Sequence, residues 1–488
     1  MKKFLSLVLA LVMTMSLVTV SAGAKDFTDN SKINYKEAVD VMSAVKVIDG
    51  YTDGSFNPTN TLTRGAAAKI ICNLILGPTT ASALVADAAP YKDVPTTNTF
   101  AGYIAYCAKE GIISGYADGT FRPGNTLTGY AFMKMLLGAL GLQADKEGYT
   151  GPNWSISVAK RALSKDVALD NGLKGEFNGA KAATREEACL YALNMLKAGT
   201  FSYPNDNTVI VGNVSVSTSA KAEQDKKTPY YETVFKNLHA NNTSDAFGRP
   251  ATRWDYKGVK IGTYAKTPDL TYVGSQKIND IYADLNMSTK DTTANLYVNG
   301  VSFDTAKNGK DAATFTVSKD NDTKLDKLGG TADKIGNGTL IEVYRNDDNN
   351  HVDVIAMSVY AGKITDVKDA TSKKDAYVVV DTDSTIVDFN DEFETEAFAE
   401  DDVVAFTYAD GEIQTMYKME SVSGELTKKV IDKSLTLGDT TYKYGKEKTF
   451  NGTSEAGLTN KSSYDVYVDA NGFALYIEET GANVSDYA

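Results

Sequence analysis

Only two histidines, His239 and His351, occur in the 488 residues, and they stand far apart in the chain. The commonest general base and metal ligand is therefore almost missing. Cysteine is scarce as well: Cys72, Cys107 and Cys189 make an odd number, at no spacing that would ligate a metal. Each lies in an apolar helical pattern, so the reading favours three small buried hydrophobes over a disulfide with one thiol left over. Clustered Lys and Arg are absent, and the net charge of -13 argues against a nucleic-acid partner, whose phosphates need basic patches. There is no Gly-x-Ser-x-Gly elbow, no His-Glu-x-x-His and no phosphate-binding glycine loop. Together these absences argue against an enzyme.

One long apolar run is present, and it is at the start. Met1-Lys2-Lys3, the uncharged stretch Phe4 to Val20 and Ala22-Gly23-Ala24 have the basic start, apolar middle and small-residue site of a secretory signal peptide, so 1–24 is read as cleaved. Past it no stretch is long and apolar enough to span a membrane, and the mature chain is expected outside the cell with no membrane insertion. At about 100 to 200 residues per domain, the length implies three or four domains.

The N-terminal part is a repeat. Gly115-Tyr116-Ala117-Asp118-Gly119-Thr120-Phe121-Arg122-Pro123 returns sixty-five residues earlier, without a gap, as Gly50-Tyr51-Thr52-Asp53-Gly54-Ser55-Phe56-Asn57-Pro58. A decayed copy follows at Asp170 to Asn178. Asp-Gly marks a tight turn in the first two, and Thr63, Thr128 and Thr184 are placed to cap the apolar helices that follow. Only Thr184 has a glutamate three residues on, Glu187, so only the third helix has a complete capping box. Arg64 and Arg185 occupy the first helical position, where the helix dipole disfavours a cation by about 0.3 to 1 kcal/mol. Two readings follow. Either the arginine and free helix N–H groups make an anion site, or the arginine pairs with a neighbouring acid and fixes the turn.

The ordered set Tyr91-Lys92-Asp93-Val94, Gly111-Ile112-Ile113-Ser114-Gly115-Tyr116 and Thr63-Arg64 resembles the S-layer homology (SLH) module. The resemblance covers 25–199, as modules at about 25–78, 91–142 and 150–199. It implies an all-α pseudo-threefold domain that binds anionic secondary cell-wall polysaccharide, or a peptidoglycan-linked polymer, between modules. Carried over by position, the implied polysaccharide-binding residues are Arg64, Arg185, Asp29 and Asp93. Tyr51 and Tyr116 are candidates to stack on sugar, and Trp154 is read as packing. Gly129 stands where the middle arginine would be, which suggests two working grooves rather than three.

Residues 200–270 are polar and read as a partly ordered connector with a short hairpin turning at Lys257-Gly258. From 271 the pattern alternates with period two. Leu340 to Tyr344 with Val352 to Val359, Val403 to Tyr408 with Ile413 to Met419, and Tyr464 to Val468 with Phe473 to Ile477 read as three equivalent hairpins. They divide the rest into small all-β repeat units at 271–357, 358–420 and 421–488. The acidic turn at 346–350 and the run 381–383 invite a calcium reading, although neither fits the twelve-residue loop pattern, so no cofactor is expected. The acidic stretch 390–402 reads as a short surface helix. The whole is read as a secreted structural protein of the bacterial cell wall and S-layer, able to self-associate into an array. An anchored adhesin is the alternative, and an anchored glycan-active enzyme is less favoured.

Overall fold

The computed structural model describes residues 27–480 apart from 205–207, 212–213, 218–220, 289–292, 303–313, 317–323, 328–333, 347–349, 372–375, 382–390 and 396. The expected signal peptide lies outside the described residues, as do the central residues of both calcium-suggestive turns. Among the described residues no helix is long and apolar enough to cross a membrane. The chain has more than one domain. Its described residues fall into two compact units, one within Ser21–Asn241 and Arg253–Thr263, the other within Asn242–Thr252 and Tyr264–Ala488.

The first unit is built on helices α1 (Lys36–Ala44), α2 (Arg64–Leu76), α3 (Ala101–Lys109), α4 (Gly129–Ala139), α5 (Trp154–Ala162) and α6 (Arg185–Lys197). Their apolar spacing becomes the core: Val41, Met42, Ile71, Leu74, Ile104, Phe132, Leu136 and Met195 are all fully enclosed. The pairs that pack together are α2 with α3, α4 with α5, and α6 with α1.

Between the two helices of each of the first two copies lies the repeated turn. The Tyr51 N–H donates to Ser55 O (2.7 Å) and the Tyr116 N–H to Thr120 O (2.8 Å). Asp53 and Asp118 each accept the backbone N–H two residues on, at 2.9 Å, as asparagines and aspartates do in such turns. An aromatic ring from the start of each copy then covers the turn, Phe27 on Phe56 and Tyr91 on Phe121, with centroids 5.2 and 5.3 Å apart. That cover explains the glycines at 50 and 115. A β-carbon would stand 2.5 Å from the Phe27 ring at Gly50 and 2.3 Å from the Tyr91 ring at Gly115.

The segments that open α2, α4 and α6 close into a ring. Leu62 N–H donates to Ala183 O, Ala183 N–H to Leu127 O, and Leu127 N–H to Leu62 O, at 2.8, 2.9 and 2.8 Å. One copy alone would leave these extended residues unpaired, so the ring requires all three. Thr63, Thr128 and Thr184 cap their helices through side-chain oxygen, and only Thr184 with Glu187 forms the reciprocal box.

The segment read as a partly ordered connector supplies ordered structure, of which the part up to Asn241 and Arg253–Thr263 belongs to this unit. Gly199–Ser202 pairs antiparallel with Glu223–Pro229, and a one-turn helix, α7 (Tyr230–Val234), buries Tyr230 and Tyr231. The hairpin of Pro250–Tyr256 and Val259–Ala265 turns at Lys257-Gly258, with φ of 52° and 80°. Its Trp254 is buried and donates Nε1–H to Glu37 Oε1 at 2.7 Å. Its polar composition understates this order, because a few buried rings, Tyr230, Tyr231 and Trp254 among them, and backbone ladders hold the segment.

The second unit is mainly β. Its three hairpins are Leu340–Arg345 with His351–Met357, Val403–Ala409 with Glu412–Lys418, and Ser463–Val468 with Ala474–Glu479. In each case the first hairpin strand pairs antiparallel with the strand that opens its sheet, namely Leu270–Val273, Tyr360–Lys368 and Glu420–Val430. The resulting sheets have six strands, five strands, and a closed five-stranded barrel. The first also packs a helix, α8 (Ile278–Asp284), through Ile281 and Tyr282. One apolar cluster draws Leu340 and Met357 from the first sheet, Ala361 and Val403 from the second, and Leu475 and Tyr476 from the third. The sheets therefore share a core. The stretch expected as a surface helix instead contributes an edge strand, Glu392–Glu394, because Phe393 alternates into the sheet against Val378.

Candidate functional site

At the start of α2 the chain places a guanidinium against the turn of the next copy. Arg64 Nε donates to Phe121 O at 2.8 Å and Nη2 to Ser114 O at 3.1 Å. The guanidinium carbon lies 4.3 Å from the Phe121 ring centroid and 5.0 Å from that of Tyr116, within cation–π range. Arg185 repeats the arrangement on the turn of the first copy. Its Nε donates to Phe56 O at 3.0 Å and its Nη2 to Asp49 O at 2.9 Å, with the Tyr51 and Phe56 rings at 4.7 and 4.8 Å.

The free helix N–H groups imagined for an anion are not free. Arg64 N and Gly65 N donate to Asn125 O and Pro123 O, each at 2.9 Å, and Ala66 N to the Thr63 hydroxyl. Arg185 N and Glu186 N are taken likewise by Asn60 O and Pro58 O. The dipole argument at these helices therefore fails, because neighbouring-copy carbonyls already use those donors. The alternative of an acid partner fails too, since among the described residues neither arginine has a carboxylate within ion-pair distance. What remains is a guanidinium whose Nε and one terminal nitrogen are fixed on carbonyls, with no hydrogen-bond partner for its second terminal nitrogen among the described residues.

The aspartates are placed differently. Asp29 accepts the N–H groups of Phe56 and Asn57, and Asp93 those of Phe121 and Arg122, all at 2.7 Å. Both oxygens of each carboxylate are thus engaged in holding the turn. Burial alone would raise the Asp93 pKa, but the Phe121 and Arg122 amides outweigh it and hold it below the usual carboxylate range. In the second turn, Asp118 is lowered to about 2 by the Thr120 hydroxyl and amide and by Arg122.

Tyr51 and Tyr116 are 45% and 41% exposed, so each presents one face outward while stacked on an arginine. The Arg122 guanidinium also lies 4.3 Å from the Tyr116 centroid. Beside it opens a cleft of about 360 Å³ walled by Arg64, Tyr116, Phe121, α4 residues Ala131, Lys134 and Met135, and Tyr149 and Trp154 of the third copy. Lys134 Nζ lies 5.6 Å from the Trp154 ring centroid and has no ion-pair partner among the described residues. Partial burial lowers its pKa. Trp154, read from the sequence as packing, is half-buried and lines this cleft.

Sequence reasoning missed Lys134, although a signal existed. It stands five residues after Gly129, and Lys69 stands five after Arg64, whereas the third copy has Leu190 there. The seam between α6 and α1, where Arg185 stands, has a further tie: Asn34 donates through N and Nδ2 to Glu186 at 2.7 and 3.1 Å. The Tyr35 hydroxyl accepts Lys174 N–H at 3.1 Å. At the start of α4, by contrast, Gly129 stands in the arginine's place, and the Gly129 and Tyr130 N–H groups donate to Lys181 O and Gly179 O of the third copy, each at 2.9 Å.

The S-layer homology domain matches residues 26–68 and 90–129, which are the first copy and the second up to the start of α4. The chain carries S-layer homology domains. The match stops short of the decayed third copy. Among curated proteins, a surface layer protein of Brevibacillus choshinensis is 27% identical over 170 residues, 34% of this chain and 15% of its own length. A cellulosome-anchoring protein of Acetivibrio thermocellus is 36% identical over 81 residues, 17% of this chain and 18% of its own. An uncharacterised cell wall amidase of Bacillus anthracis is 26% identical over 194 residues, 37% of this chain and 34% of its own. The chain thus spans a third or less of the length of these relatives. The SLH match and the S-layer relatives support a cell-surface protein of the S-layer type.

Proposed function

We propose that the three SLH copies form one pseudo-threefold, wall-binding domain, which holds the mature chain on an anionic secondary cell-wall polysaccharide and leaves the β-sheets to be displayed or to associate between copies. The observation that carries this is the cleft at Arg64. Two cations without carboxylate partners among the described residues, Arg64 and Lys134, border it with two partly exposed rings, Tyr116 and Trp154. Cations on fixed geometry recognise carboxylate or phosphate groups, and flat rings recognise the apolar faces of sugars. Arg185 with Tyr51 makes the second such place. Asp29 and Asp93 hold the turns that present these residues. The third joint, where α4 meets the turn of the third copy and Gly129 replaces the arginine, offers no guanidinium and takes no polymer. We assign the chain a structural rather than a catalytic role, with the β-sheets as the self-associating part and no required metal.

The test is retention of the mature chain on purified wall sacculi, before and after chemical removal of the anionic glycopolymer. Binding lost with the polymer is the expected result. Undiminished binding to stripped sacculi would refute the assignment.

A further inference from the structure

Two of the three cysteines are brought together by the fold, and nothing in the wall-binding reading uses them. Cys72 on α2 and Cys107 on α3 have their Sγ atoms 3.5 Å apart, and both side chains are wholly enclosed. Each thiol also points toward a backbone carbonyl of the partner helix, Cys72 toward Tyr103 O (3.5 Å) and Cys107 toward Ala68 O (3.7 Å). Cys189 is buried on α6 away from both. The two contacting thiols come from different copies, so a bond between them would fasten the first copy to the second. Their helices α2 and α3 are the repeat equivalents of α4 and α5, which wall the cleft at Arg64.

We propose that Cys72 and Cys107 are an oxidisable pair that forms an inter-copy disulfide as the exported chain folds, leaving Cys189 as a single thiol. The oxidant is a small-molecule disulfide. One protein thiol, as thiolate, attacks a sulfur of the oxidant and displaces one small thiolate, giving a mixed disulfide. The second protein thiolate attacks the protein sulfur of that mixed disulfide and displaces the other small thiolate. Two protein thiols are oxidised, one small disulfide is reduced to two small thiols, and the two protons released by the cysteines end on those thiols. Contact with Cys72 and burial push the Cys107 thiol well above its ordinary pKa, so in the folded state it is poorly nucleophilic. The exchange therefore runs while the helices are still assembling, and the finished bond is shielded from reductant.

The experiment is to refold the chain lacking residues 1–24 from urea in oxidised and reduced glutathione, and separately in dithiothreitol. Thiols are then counted by maleimide mass tagging in denaturant. One tag per chain from the glutathione sample is expected, with a linked Cys72–Cys107 peptide and a melting temperature several degrees above the reduced sample. Cys107→Ser should keep the far-ultraviolet circular dichroism of the parent and take two tags under both conditions. Three tags after glutathione refolding, or a link that includes Cys189, would overturn the proposal. If Cys107→Ser fails to fold, the parent chain's tag count and linked peptide still decide it.

Discussion

The start of α2 and the start of α4 are the same device made twice with different chemistry. At both, a capping threonine, an extended residue in the central ring, and two helix N–H groups donating to the neighbouring turn are preserved. At α2 the first residue is Arg64, which reaches across to two carbonyls and two rings. At α4 it is Gly129, whose β-carbon position is crowded by Gly179 Cα at 3.2 Å and the Phe177 ring at 3.6 Å. The backbone device alone therefore suffices to join neighbouring copies. The arginine is an addition that couples the joint to an outward-facing cation, so at Arg64 and Arg185 stability and binding are linked, whereas at Gly129 they are not.

The largest expected effect comes from removing the addition. Arg64→Ala with Arg185→Ala deletes four charge-assisted hydrogen bonds and four ring contacts, and should lower unfolding free energy by about 3 kcal/mol or more, since such bonds are worth about 1.5 to 3 kcal/mol each before solvent takes their place. The α2 and α6 dipole relief of a few tenths does not offset this. Urea titration measures it. An unchanged midpoint would show that the arginines merely rest on the turns, and the comparison with Gly129 would collapse.

Much of this architecture was readable before any coordinates. The copies, their Asp-Gly turns, the capping box at Thr184 and the three hairpins are local, periodic signals, and they appear where the pattern put them. The helix-start anion site was not there, because whether an N–H is free depends on a chain segment sixty residues away. Trp154 and Lys134 could not be joined for the same reason: they lie on different copies and meet only through the packing of α4 on α5. Within 200–270 the hairpin turning at Lys257-Gly258 was legible, whereas its tie to the helices was not, because Trp254 reaches Glu37, 217 residues earlier in the chain.

A smaller effect is expected at the turn clamps, which the first two copies have and the third lacks. Asp93→Ala leaves two backbone N–H groups without their acceptor and should cost about 1 to 2 kcal/mol. Because the folded pKa of Asp93 lies below its unfolded value near 4, its contribution is full above that value and is lost as pH falls through the folded one. Asp118, at about 2, behaves alike. Stability of the parent should therefore drop between roughly pH 4 and 2, and the Asp93→Ala protein should drop less. Parallel acid titrations of the two would contradict the clamp.

The smallest effect separates the caps. Thr184→Ala removes one partner of a reciprocal box and should cost about 1 to 1.5 kcal/mol, against about 0.5 to 1 for Thr128→Ala, which has a single capping bond. Thermal melts of the two single variants rank them. Equal losses would mean that the Glu187 contact adds nothing.

The central claim is that unpaired cations and rings facing the cleft hold an anionic wall polymer, and it is tested best by residues that do not pin a turn. Lys134 and Trp154 make no side-chain hydrogen bond to the repeated loops among the described residues, so Lys134→Ala with Trp154→Ala separates binding from stability. The measurement is the binding isotherm of the mature double variant on intact sacculi at two salt concentrations, beside its melting curve. The account expects affinity to fall by about tenfold or more, with a weaker salt dependence and a melting temperature close to the parent's, since each lost charged contact is worth about 1 kcal/mol or more. Affinity and salt dependence equal to the parent's would contradict it.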